Sequence, residues 1–204
     1  MRLLTALCVL FAVAGPVDRS LAADPRYPDW PCTQAKVPEV SVTAVWAGPS
    51  LDDVADKWKN DAKVNALLPR LAARRTSLDE AQKAITEFLA GSGAEKTAMA
   101  KLLFAGLFDT LNAERSSVMN GVERVTRKQR EAAKKIRDDT VALQALQGAS
   151  PPDQARIEEL GNQLVWETRI FEDRQRVIKF VCEVPTAIDQ RLFALGRVIQ
   201  QEME

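Results

Sequence analysis

Two cysteines outside the first residues, Cys32 and Cys182, are the side chains in this sequence with the most obvious covalent chemistry. Trp30-Pro31-Cys32 suggests a redox thiol, but no second cysteine stands at the Cys-x-x-Cys spacing that tunes such thiols. The pair is therefore expected to form one structural disulfide, which would close a loop of about 150 residues and stabilise the fold by at most about 5 kcal/mol. A second set of chemically capable residues is Gln129, Asp139, Glu167 and Arg174, which fall at positions where an apolar helix seam would otherwise run. Polar residues in such a seam serve register and orientation at some cost in stability, and that role is expected for these four. The chain has no histidine, which removes the usual general base, zinc ligand and haem ligand. It also has no P-loop, dinucleotide fingerprint or nucleophile elbow. No residue is assigned as catalytic, cofactor-binding or metal-ligating, and an enzyme here would have to run on carboxylates, lysine or cysteine.

The elements that must position these residues begin after a leader. Residues 3–14 form a short apolar run behind Met1-Arg2, which is the length of a signal peptide and too short for a membrane span. Cleavage is expected after Ala22 or Ala23, with Ala14 as the alternative, so residues 1–23 are read as a signal peptide. Cys8 follows Leu7, where a lipoprotein signal would carry a small residue, so lipidation is discounted. Without Arg2, Asp18 and Arg19 the formal charge moves from 0 to −1. A chain so balanced has no electrostatic bias towards nucleic acid or anionic lipid. Export to the periplasm or out of the cell would put both remaining cysteines where a disulfide persists.

Residues 24–49 carry Pro25, Pro28, Pro31, Pro38 and Pro49, which forbid a continuous helix, with Tyr27, Trp30 and Trp46 as apolar anchors. This stretch is expected to be an extended strap lying on a helical domain of residues 50–204. A short helix from Ser50 to about Asn60 comes first, followed by a second from Asp61 to about Arg75 that Pro69 should kink or restart. Ser77 with Glu80 forms a capping box for a third helix ending at Gly91, its core face being Leu78, Ala81, Ile85, Phe88 and Leu89.

Beyond Gly93 the pattern changes to a heptad seam, running from Phe104 through Phe108, Leu111, Arg115, Val118 and Val122 to Leu143 and Leu146. Gly148 ends it, and Ser150 with Pro151 is expected to cap the next helix. A matching seam runs from Ile157 and Leu160 to Leu195 and Ile199. A short turn forces the two helices antiparallel, and seam residues then pair with a constant index sum of about 303, so that Val125 faces Ile178 and Ile136 faces Glu167. The apolar face is broad in residues 50–121 and 182–204 and narrow in residues 122–181. The fold class expected is all-α: a basal bundle, a long antiparallel coiled-coil arm and a Pro-rich strap. Gly121 in one limb and Pro185 in the other lie near the same level, which suggests a hinge between base and arm.

Val125-Thr126-Arg127-Lys128-Gln129 resembles the Leu-Thr-x-x-Gln motif of the periplasmic stress chaperones, with valine for leucine and a mid-helix position. The resemblance covers five residues of 204 and implies a helical, non-enzymatic protein that binds unfolded clients on an apolar surface. The leading expectation is an exported structural or adaptor protein with a protein partner. A client-binding chaperone is the alternative and a carboxylate-based enzyme the third. The arm also leaves room for a homodimer.

Overall fold

A computed structural model describes residues 24–204, and the expected signal peptide lies outside them. The chain is all-α, and among the described residues there is no strand. Six α-helices follow in order: α1 (Val42–Val45), α2 (Ala62–Ala72), α3 (Leu78–Ala90), α4 (Lys96–Gln147), α5 (Gln154–Val181) and α6 (Val184–Gln201).

Residues 24–41 lack regular structure, as the prolines require, but the strap is not extended throughout, because α1 forms one helical turn within it. The first expected helix shrinks to a 3-10 turn at Lys57–Asn60. Ser50 accepts the Asp52 N–H but also donates its hydroxyl to the Asp52 carboxylate, which closes a local turn instead of launching a helix. Asp61 caps α2 by accepting the N–H groups of Lys63 and Val64. Pro69 sits inside α2 without restarting it. It forfeits only its own bond to the carbonyl four residues back, and buried Leu68, Leu71 and Ala72 on either side hold the last turn.

The reciprocal Ser77–Glu80 capping box opens α3 as the sequence predicts. Leu78 points outward, 43% exposed, and Ala84 takes the core position beside Ala81, Ile85 and Leu89. Asp153, not Ser150, caps α5 by accepting the Arg156 N–H, so both prolines fall in the turn ahead of the helix. A carboxylate one residue before the first helical turn outcompetes a serine placed before two prolines.

The core sits at the base, where α2, α3 and α6 surround the first half of α4. Phe104, Leu107 and Leu111 of α4 meet Ile188, Leu192, Leu195 and Ile199 of α6, all of them at most 1% exposed. Trp46 stacks on Phe104 with ring centroids 4.2 Å apart, bringing the strap into this core. Two glycines allow the close approach. A Cβ on Gly196 would lie 2.9 Å from the Phe104 ring and 3.0 Å from the Val45 carbonyl, and one on Gly106 would lie 2.7 Å from Leu68.

Buried polar groups tie the base together. Arg191 of α6 donates to the carbonyls of Leu71 and Thr76, 2.7 and 2.9 Å away, satisfying the end of α2 from another helix. Arg115, 4% exposed, lies 2.8 Å from Asp189 without hydrogen-bond alignment, and donates to the Pro38 carbonyl of the strap. Burial pushes the Asp189 carboxyl above its ordinary range, opposed by the Arg115 charge.

Candidate protein-docking groove on the arm

Beyond the base α4 and α5 continue as a two-helix arm. The expected register holds, since Val125 and Ile178 line one interhelical groove and Ile136 and Glu167 line the next. Lys135 crosses the seam to Glu167 at 2.7 Å, while also holding Asp139 on its own helix at 2.6 Å. The bonds from Lys135 and Gln163 hold the Glu167 carboxyl below its ordinary range. Gln129 is buried at 3% exposure and donates to the Phe171 carbonyl across the seam, leaving its own carbonyl oxygen without a partner. That is the geometry of a register lock. Arg174 departs from expectation: it shares the Gln129 level by index but is exposed and stands at the groove edge. Its long side chain reaches water more easily than it fits between two helices.

These four residues do not converge on one site. Asp139 and Glu167 meet through Lys135, whereas Gln129 and Arg174 lie nearer the base. Among the described residues no cluster of three or more metal-ligating side chains occurs.

Because Glu167 is stabilised as a carboxylate, its contribution is present at pH values above the ordinary glutamate range and is lost as pH falls through its lowered value. Amide exchange near residues 135–139 and 163–167 is expected to quicken first on acidification, and Glu167→Gln should remove that pH dependence. Acid exchange unchanged by the substitution would disprove the link. Leu143 near the arm tip is half-buried, and by register it faces buried Leu160. Leu143→Asp is expected to destabilise the tip by about 1–3 kcal/mol. Hydrogen exchange should show fraying of the tip with the base protected, and loss of protection at the base would contradict an independently packed arm.

The strap is fastened along one flank of the arm. Cys32 and Cys182 are disulfide-bonded, their Cα atoms 5.5 Å apart. Trp30 is buried against Met119 and Val122, and Gln34 donates to the Cys182 carbonyl. Lys36 pairs with Glu123 at 2.6 Å, and Asp29 receives both Arg127 and Arg130. Arg127 and Arg130 of α4 are thus neutralised by the strap and not by the facing helix.

On the opposite flank nothing in the described chain covers the seam. There Val125 of α4 and Val177 of α5 flank an open groove of about 520 Å³ whose floor is the seam itself, Val118, Val122, Ile178 and Val181. Three of these, Val118, Val122 and Val181, also pack against the strap cluster from the other side. Gly121 forms part of its wall. Val177, 58% exposed, lines this groove and Ile170, 42% exposed, lines the next recess, while Trp166 and Phe180 of α5 are exposed, at 65% and 73%, outside both. Sequence reasoning missed this groove because it followed the seam alone. The available signal was the apolar residues one position ahead of it, Ile170 and Val177.

At the level of the expected hinge only one limb is interrupted. The second limb breaks at Cys182 and Glu183, and Pro185 lies in the first turn of α6, where its missing N–H needs no partner. Gly121 lies inside unbroken α4, whose residues on both sides stay helical. One weak helix former is outweighed by buried Met119 and Val122 packed under the strap.

Among the described residues no helix is long and apolar enough to cross a membrane. Comparisons of the chain with protein-family models, with curated proteins and with solved structures found no match.

Proposed function

We propose that this chain is an exported, non-enzymatic structural or adaptor protein that binds a protein partner through its helical arm or strap. The uncovered apolar groove carries the reading: a two-helix arm whose one flank is covered near the base by the strap and whose other flank is open presents a surface suited to a further helix. The bonded cysteine pair supports export, since such bonds persist in oxidising compartments. The absence of histidine supports a non-enzymatic role.

The exposed Trp166, Val177 and Phe180 favour a second reading, a chaperone that binds unfolded clients. Affinity capture with the intact exported chain separates the two. An adaptor retains one partner in fixed stoichiometry. A chaperone suppresses aggregation of unrelated unfolded proteins and retains none stoichiometrically, and that result would overturn the adaptor reading.

A further inference from the structure

Resting on the adaptor reading, we infer that the open flank of the arm is a docking site for an amphipathic α-helix whose apolar stripe is bordered by acidic residues. Four observations lead to that occupant. Helical geometry places Met119, Glu123, Arg127 and Arg130, which hold the strap, on one side of the α4 seam, and Gly121 and Arg124 on the other. The strap therefore cannot fill the groove while its disulfide is intact.

The groove is also shaped for a helix. Its apolar wall runs beside Gly121, where a Cβ would meet nothing nearer than the Arg124 guanidinium at 3.8 Å. A smaller recess of about 240 Å³, lined by Ala132, Ile136 and Ile170, continues it towards the tip. From Val118 to Ile136 the track is roughly 27 Å long at 1.5 Å per residue, about five helical turns.

Charge then selects among helices. Arg124 and Arg174 both line the groove, and among the described residues neither has a carboxylate partner. The acids along this track, Asp173 in the groove and Glu167 in the recess, are engaged by Arg176 and Lys135 respectively. Lys128, Arg137, Arg169 and Lys179 of the arm also lack an ion pair among the described residues, but none of them lines the groove. Two guanidinium forks over an apolar floor match carboxylates flanking an apolar stripe. A second copy fits less well, because a two-fold contact through this groove sets Arg124 and Arg174 of one chain against the same cationic rim of the other.

The test uses the intact, oxidised chain and two fluorescein-labelled synthetic helical peptides. Both carry leucine at the seam positions of about three heptads; one has glutamate on the flanks and its twin has lysine. In anisotropy titrations the glutamate peptide is expected to bind at least about ten-fold more tightly than the twin, with affinity falling as salt is raised. Arg124→Glu combined with Arg174→Glu should reverse the preference, and Val177→Asp should abolish binding of both with the circular dichroism and melting curve unchanged. Equal binding of the two peptides, binding of neither, or a preference indifferent to the charge reversal would overturn the inference. So would a concentration-dependent dimer, detected by sedimentation, that Val177→Asp dissolves. A natural partner captured equally by wild type and Val177→Asp would also overturn it while leaving the adaptor reading intact. Capture of no partner would count against that reading alone, since the peptide titration reports on the groove directly.

Discussion

Reducing the Cys32–Cys182 bond is expected to lower the melting temperature by on the order of 10 °C and to release residues 24–40 before anything else. In the chain-entropy model a cross-link between residues separated by 150 positions stabilises by at most about 5 kcal/mol. For a domain of this size each kcal/mol corresponds to about 2–4 °C. The order of release follows from what else fastens the strap. Trp30 is buried on Met119 and Val122, but the ion pairs of Asp29 involve half-exposed arginines, and such pairs contribute little. Trp46 is anchored differently, stacked on Phe104 and donating its indole N–H to the Pro49 carbonyl at 2.8 Å. Cys32→Ser with Cys182→Ser should therefore speed amide exchange in residues 24–40 and leave the Trp46 region protected. Identical melting with and without reductant would contradict the strap's dependence on the bond.

Phe104→Ala is expected to remove about 3–5 kcal/mol from the base, the larger of the effects confined to a single side chain. Phe104 is fully buried, and it joins three elements at once: the strap through Trp46, its own helix through Phe108 at 6.3 Å, and α6 through Gly196. Truncation leaves a cavity and deletes an aromatic pair that contributes about 0.5–1.5 kcal/mol beyond its buried area. Gly196→Val probes the same junction from the other side by overpacking. Its Cβ would lie 3.0 Å from a backbone carbonyl that cannot rotate away, so α1 or α6 must shift. Equilibrium denaturation should show both variants less stable, with Trp46 fluorescence changing first. A Phe104→Ala protein within about 1 kcal/mol of the parent would mean the strap and α6 do not meet through this ring.

The architecture of the arm was legible from residue spacing alone, for a physical reason. Two seams joined by a six-residue gap between Gln147 and Gln154 have no partner but each other, so apolar periodicity determines which faces meet and the turn determines direction. The same holds for the capping box at Ser77 and Glu80, whose hydrogen bonds close within four residues. The disulfide was inferable because only two cysteines lie outside the expected leader.

Tertiary structure decided what local pattern could not. Leu78 satisfies the apolar period of α3 yet is 43% exposed at its first turn, whereas Ala81, Ala84, Ile85 and Leu89 are buried. Pro69 stays within α2 because burial of Leu68 and Leu71 outweighs one lost backbone bond, a balance visible only once α4 lies against α2. Arg191 becomes a buried donor because the carbonyl of Leu71 in the last turn of α2, 120 residues away in the chain, falls within its reach. The open groove belongs to the same class. Periodicity shows that Val125 and Val177 lie near the seam, but whether a strap covers them depends on which flank the Cys32–Cys182 bond pulls it to, and the packing of Trp30 against Met119 settles that side.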